Sequence, residues 1–375
     1  MKVLYFGHYK EGTGWAQAAI DYMLAMDSIG IDVVCRNVNL TGVEYPVPDK
    51  ILELEKKPTY GAEYCIQHLL PHHLVGTGSF KKNVAYFAGE TTTIKHQPWF
   101  VHLEQMDEVW VPNTDLWQAL SLDNLITPNG IKVLPHTKDI DSYNKQTEVI
   151  NIPEAEGKFK FYYIADLSER KNLISTLRCF HSEFSASDNV SLILKTKKHG
   201  APPQELADHV KNISNSVKKR LRIFSNIEYY VDDIIIAEEV SGDVISGIHK
   251  YADCFLGISR GEGWSIPAFD AMAHGNTPIC SNFGGPKEFI DSENESTGCL
   301  VDGQLSVCDC PDAAFPEIFT GQENWFQPNE IKTKRAMRHY YEQRKSIDRN
   351  AGLEQAKKFS YENIGNKIKE FLTNG

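Results

Sequence analysis

Apolar positions in the first third of the chain follow two alternating rhythms. "KVLYF", Lys2 to Phe6, is a short unbroken apolar run that ends in the polar, glycine-rich stretch "GHYKEGTG", the pattern of a buried strand and a turn. "WAQAAIDYMLAMDSIG" then carries its apolar residues at helical spacing and closes on Gly30, and "IDVVCRNV" returns to a strand. "YCIQHL", "NVAYFAG", "EVWVPN" and "IKVLPH" repeat the strand rhythm between polar or helical stretches. This alternation predicts a parallel sheet with helices on both faces, over residues 1–150. The polar, proline-bearing segment Asn144 to Lys158 reads as a linker, after which the rhythm restarts. Strands "FKFYYIAD", "SLILKTK", "IIIAEEV", "CFLGIS" and "TPICSN" are interleaved with helices "NLISTLRCFHSEFS", "GDVISGIHKYA" and "PAFDAMAHG". The expected architecture is α/β, with two Rossmann-like doubly wound domains, 1–150 and 151–345, facing across a cleft where their strands end. Residues 346–375 are C-terminal helices. The last, "FSYENIGNKIKEFLTN", has an apolar stripe of Ile364, Ile368, Phe371 and Leu372 that must dock, expected on the N-terminal domain.

Composition narrows the function classes. A chain of 375 residues exceeds a usual single core, and 41% hydrophobic with 24% charged residues describes a soluble globular protein. The formal charge of −11 argues against an extended basic surface for nucleic acid, while leaving room for a local pocket for a small anion. Eight cysteines sit mostly in apolar runs, as reduced buried cysteines do. Cys308-Asp309-Cys310 lacks a second paired cluster and reads as a loop, not a metal site. The N-terminal apolar run ends at Gly7, too short for a signal segment, and no stretch is long enough to span a bilayer. A cytoplasmic protein, at most peripheral at a membrane, is expected.

Candidate chemistry concentrates in "SRGEGWSIPAFDAMAHGNTPICSNFGGPKEF", Ser259 to Phe289. Gly261 and Gly263 permit a tight turn after a strand and close approach to a ligand. Pro267 suits the first turn of a helix, whose unpaired N–H groups and positive dipole end then face that turn. Glu262 lies on the turn and Asp270 about one helical turn further in, so both carboxylates can meet one elongated ligand. Arg170 and Lys171 follow the strand "FYYIAD" and are expected to open the next helix, where two cations would stabilise a diphosphate leaving group. "EGTGW" lies between strand and helix, yet G-x-G-x-x-G fails because Ala16 and Gln17 follow Gly14.

These blocks resemble the donor-site signature of family 4 glycosyltransferases of the GT-B fold: an acid, seven residues and a second acid, framed by E-G-[FW]-G-x-P and followed by a G-G-P-x-E turn. "SERKNLISTLRCF" is similar to the family's phosphate-binding helix start, and "GTGWAQAAIDY" to its glycine loop, so the resemblance covers nearly the whole chain. It implies a retaining, metal-independent glycosyltransferase that moves a sugar from a nucleotide-diphosphate donor to an acceptor hydroxyl, with no cofactor. Glu262 would contact the donor sugar, Arg170 and Lys171 the diphosphate, and Asp270 the ribose. Gly263, Trp264, Ser265 and Ile266 would complete the donor site, with Gly14 and Trp15 over the sugar-phosphate. The family usually has Glu where Asp270 stands and often an arginine where Asp166 stands.

Glu90, after "NVAYFAG" and before three threonines, would contact the sugar or help receive the acceptor's proton, or else cap a helix. His136 reads more often as structural than catalytic, and His68, His72 and His73 as a loop lacking acid partners for a metal. Asp139-Ile140-Asp141 has the form of a manganese site of another fold but lies far in sequence from the Glu262 block. The acceptor is expected to be a saccharide, a lipid-linked saccharide or a protein. A sugar phosphorylase, or a sugar-nucleotide-binding subunit without turnover, are the alternative functions.

Overall fold

The computed structural model describes residues 1–145, 150–198, 200–309 and 318–374. The chain divides into two compact units: unit 1 holds Met1–Ser142, Val307–Asn324 and Lys357–Gly375, and unit 2 holds Tyr143–Ser306 and Trp325–Ala356. The first change of unit thus falls at Ser142, where the apolar rhythm places it near residue 150. Gln146 to Val149, inside the expected linker, lie outside the described residues, as does Cys310 of the Cys308-Asp309-Cys310 triplet.

Unit 1 is built on six strands, β1 (Lys2–Gly7), β2 (Asp32–Asn37), β3 (Tyr64–His68), β4 (Lys82–Tyr86), β5 (Glu108–Val111) and β6 (Ile131–Val133). Their order is β2-β1-β3-β4-β5-β6, and every neighbouring pair is parallel. Helices α1 (Gly14–Ser28), α2 (Asp49–Lys56), α3 (Phe100–Leu103) and α4 (Thr114–Leu122) belong to the crossovers. A parallel sheet covered on both faces needs strands apolar on both sides, and Val3, Leu4 and Tyr5 of β1 are all buried. α1 begins where the Thr13 hydroxyl accepts the Ala16 N–H at 3.1 Å, an ordinary helix cap.

Unit 2 repeats the plan with a different winding. Strands β7 (Phe159–Asp166), β8 (Val190–Lys197), β9 (Asp233–Ile236), β10 (Cys254–Gly257), β11 (Ile279–Ser281) and β12 (Cys299–Val301) alternate with α5 (Leu173–Glu183), α6 (Pro203–Leu221), α7 (Gly242–Tyr251), α8 (Ile266–Ala273) and α9 (Pro286–Phe289). The order β12-β11-β10-β7-β8-β9, again parallel throughout, is that of a dinucleotide-binding sheet. Phe161, Leu192, Leu194, Cys254 and Leu256 from the sheet pack with Leu177 and Phe180 of α5 in one core.

Strands β13 (Gly303–Asp309) and β14 (Thr320–Pro328) pair with each other, and α10 (Glu330–Gln343), α11 (Arg349–Ala356) and α12 (Tyr361–Thr373) follow. α12 lies in unit 1 against α1, so close that a Cβ on Gly365 would crowd the Ala25 carbonyl. Its stripe residues Ile364, Ile368 and Leu372 are buried, a gain of about 1.5–3 kcal/mol each, whereas Phe371 stays partly exposed.

Both sheets reverse their winding once, and ligands of open α/β sheets bind where that happens, beyond the carboxyl ends of the strands. In unit 1 the reversal lies between β1 and β3, and in unit 2 between β7 and β10. Among the described residues no helix is long and apolar enough to cross a membrane, and the seven described cysteines are free.

Candidate active site

The chain leaves β7 in a tight 3-10 turn, Glu169–Lys171, and α5 starts only at Leu173. Arg170 and Lys171 therefore do not open α5, as the sequence pattern suggests, but precede it. Asn172 separates turn from helix in the left-handed conformation, φ 58°, a region asparagine tolerates better than most residues. Its side-chain amide donates to the Ile258 carbonyl at 2.9 Å, tying the turn after β7 to the end of β10.

The chain leaves β10 through Ser259 to Ser265. Glu262 lies on this segment, only 8% exposed, and its carboxylate accepts from Lys171 Nζ at 2.7 and 2.9 Å. Arg170 Nη1 donates to the Gly261 carbonyl at 2.6 Å and reaches Glu262 Oε2 at 3.5 Å. Burial pushes the Glu262 carboxyl up, but Lys171 and Arg170 more than offset that and hold it below the ordinary carboxylate range. The acid and both cations named by the sequence thus form one ion-paired cluster at the switch point of unit 2, the acid buried and the cations half-buried.

The double glycine explains how the turn holds its shape. A Cβ on Gly284 would overlap the Glu262 carbonyl, and one on Gly285 the Trp264 backbone. Gly285 N–H donates to the Glu262 carbonyl at 3.0 Å. Ser265, at φ 73°, stands in the left-handed region just before Ile266 opens α8, a position of backbone strain for a non-glycine residue. Trp264 is 6% exposed and packs on Phe269 and Phe289, with ring centroids at 5.8 and 5.2 Å. Its side chain is part of the core, so Trp264 has its backbone to offer a ligand. Pro267 occupies the first turn of α8.

Asp270 lies on α8, where Oδ1 accepts from the Tyr143 hydroxyl at 2.5 Å. Tyr143 also meets His274 edge-on at 5.0 Å. His274 is pushed down to about 4 by burial, with Asp270 drawing it up and Lys250 further down. Tyr143 escaped the sequence reading because it belongs to the polar stretch taken for the end of the first domain.

The switch point of unit 1 has another character. Gly12, at φ 64°, lies against the Tyr45 ring where any Cβ would overlap, and Gly14 is the first residue of α1. Trp15 meets His68, the last residue of β3, edge-on at 4.3 Å. His68 is fully buried, shares a 2.8 Å hydrogen bond with the Tyr5 hydroxyl through Nδ1, and is held well below the usual histidine range by burial. His8 donates from Nδ1 to the Val38 carbonyl at 2.6 Å and accepts the Leu70 N–H on Nε2 at 3.1 Å, which fixes its neutral tautomer. His72 and His73 meet edge-on nearby, ring centroids 4.1 Å apart. Three histidines read as a loop are thus one end of β3 and the turn after it. Their placement beside β1 needs the strand order and has no local signal.

Glu90 follows β4 in an irregular segment. The cap reading of its threonine cluster is overturned: the next helix, α3, starts at Phe100. Instead Thr93 donates to Asp123 at 2.5 Å and Thr92 exchanges bonds with Asn324 at 2.9 and 3.2 Å. His136 is buried beside Asp21, Nε2 to Oδ2 3.5 Å, among packing residues. Asp139 and Asp141 fall at a second 3-10 turn in unit 1, where Asp139 Oδ1 accepts the Asp141 N–H at 3.2 Å. Among the described residues no group of three or more His, Cys, Asp or Glu side chains is placed to hold a metal ion.

Residues 144–308 match the family described as glycosyl transferases group 1. No curated protein matches the chain in sequence. Solved structures match over essentially the whole length. HepE of Anabaena, in complex with UDP and glucose, is 12% identical with a TM-score of 0.68, covering 100% of both chains. Sucrose-phosphate synthase from Thermosynechococcus elongatus is 13% identical with a TM-score of 0.63, covering 99% of this chain and 98% of that one. The trehalose-6-phosphate synthase OtsA is 12% identical with a TM-score of 0.65, covering 100% of both.

Proposed function

Because the chain has the two-sheet GT-B fold and carries a glycosyl transferases group 1 domain over residues 144–308, we propose that it moves a sugar from a nucleotide-diphosphate donor to an acceptor hydroxyl with retention of configuration. The observation that supports this most is the Glu262, Lys171 and Arg170 cluster at the β7/β10 switch point. Two cations pre-placed beside a buried acid can meet the charge that develops on a departing diphosphate without reorganising.

The acceptor oxygen attacks the anomeric carbon from the face that the diphosphate leaves. The new carbon–oxygen bond forms as the carbon–phosphate-oxygen bond breaks, and the acceptor's proton passes to the departing phosphate oxygen. Lys171 and Arg170 share their N–H donors between Glu262 and that phosphate, while Glu262 accepts from a hydroxyl of the transferred sugar and fixes its pose. Backbone groups of Gly263 to Ile266 line the same turn. Asp270 takes the ribose hydroxyls once Tyr143 yields its place. Of unit 1, Gly14 and Trp15 are assigned to the donor's sugar-phosphate and Glu90 to the sugar or the acceptor's proton; the acceptor is a saccharide, a lipid-linked saccharide or a protein. The positive charge for the leaving group is protein-borne, so no metal is needed and activity persists in excess EDTA.

UDP-glucose as first donor is suggested by HepE, whose structures hold UDP and glucose. A donor panel, read by release of free nucleoside diphosphate, with product configuration read by proton NMR, tests the proposal. Retained configuration with one preferred donor supports it. Phosphate-dependent release of sugar phosphate would replace it with a phosphorylase, and binding without turnover with a regulatory subunit.

A further inference from the structure

Arg260 stands at the head of the acid turn, and the donor contacts proposed above leave it without a role. Four attachments fix it. Its N–H donates to the Arg170 carbonyl at 2.8 Å, and its own carbonyl accepts the Phe326 N–H at 2.7 Å. Its Nη2 pairs with Glu169 Oε1 at 2.8 Å, and its guanidinium lies 4.9 Å over the Trp325 ring. Glu169 and Arg170 belong to the turn after β7, whereas Trp325 and Phe326 belong to β14, so one residue fastens three segments of unit 2. Glu169 is also the first residue of the three-residue turn whose other members are Arg170 and Lys171.

The chemistry calls for arginine at this place. A planar guanidinium stacks on an indole and donates in its own plane to a carboxylate at the same time, which an ammonium cannot do. Nε of Arg260 is buried and has no partner among the described residues, so its orientation depends on Glu169 and Trp325.

We propose that Arg260 is a positioning residue of the donor site: braced on Trp325, it clamps Glu169 and thereby sets where Arg170 and Lys171 meet the diphosphate. It touches no reacting atom. The proposal rests on the donor-site reading above and adds the device that aims its cations.

The test is a double-mutant cycle on the full chain, with UDP and GDP affinity by calorimetry and kcat with the preferred donor. Arg260→Met and Glu169→Gln are each expected to weaken nucleoside diphosphate binding and lower kcat by about tenfold. The double variant should lose no more than about twofold beyond either single change, because the two act through one link. Arg260→Lys, keeping the ion pair without the stack, should fall between wild type and Arg260→Met. Additive losses, or a lower melting temperature with unchanged affinity and kcat, would overturn the proposal. Should Arg260→Met fail to fold, Glu169→Gln on its half-exposed turn decides: unchanged affinity there sinks the idea. A wild-type protein that binds neither nucleotide removes the donor-site reading itself and the proposal with it, whereas tight wild-type binding with unaffected variants removes Arg260 alone.

Discussion

The two switch points of this molecule stand at the same place in related sheets and are furnished in opposite ways. Unit 2 presents a buried carboxylate held by two cations, on a turn fixed by glycines that admit no side chain. Unit 1 presents an indole and several histidines, of which His68 and His8 are kept neutral by burial. On the proposed function, the charge assigned to the diphosphate is concentrated in one unit. Neutral hydrogen-bonding and stacking groups, suited to hydroxyls, are concentrated in the other.

The contrast breaks first at the acid. Glu262→Gln preserves the size of the side chain but removes its charge, and turnover with the preferred donor should fall by about a hundredfold or more. Glu90→Gln, in unit 1, should cost about tenfold or less. Steady-state rates for both variants check this, and equal losses would erase the distinction.

The glycines come next. Gly285→Ala forces a Cβ into the Trp264 backbone, and an unfolding free energy lower by about 2–4 kcal/mol is expected in denaturant titration. Gly30→Ala is the control: Gly30 has a positive φ, 81°, which Gly285 at φ −52° does not, but nothing lies near its Cβ, so only about 1 kcal/mol should be lost. Similar losses would mean that the close approach seen at Gly285 is not what holds the turn.

A pH effect follows from His274. Its folded form is pushed down to about 4, against 6.5 for the unperturbed group, so between these values the unfolded chain binds a proton that the folded chain refuses. Stability therefore falls as pH drops from about 6.5 to about 4, by at most about 3 kcal/mol, and levels off below. His274→Asn should flatten that part of the stability curve, and an unchanged slope would assign the pH dependence elsewhere. The smallest effect concerns Asp270. Tyr143→Phe frees its carboxylate, and nucleoside diphosphate should bind about two- to fivefold tighter by calorimetry; weaker binding would make Tyr143 a ligand-holding group instead.

Unit 2 was far more legible in sequence than unit 1, for a physical reason. The turn around Glu262 is specified by neighbours in sequence: glycines, a proline at a helix start and a glycine pair for close approach. Arg170 and Lys171 were legible as cations after a strand, although not their 3-10 turn, which depends on left-handed Asn172. In unit 1 the neighbours of Trp15 are distant in sequence and come together only through the order β1-β3. α6 escaped because its buried face carries Ser214 and Lys218, whose ammonium pairs with buried Asp233 at 2.8 Å in place of apolar packing. Asp270 was legible as an acid at the right spacing, but its bond to Tyr143 spans 127 positions and has no local signature.

The central claim is that the charges at the β7/β10 switch point form the donor diphosphate site. Calorimetric titration of wild type and Lys171→Ala with UDP and GDP, at matched pH and ionic strength, tests it most directly. One nucleotide should bind wild type and lose at least about tenfold in affinity in the variant, because a charge-assisted contact in a half-dry turn is removed. Affinity unchanged within about threefold, the behaviour of a solvent-screened surface lysine, would contradict it.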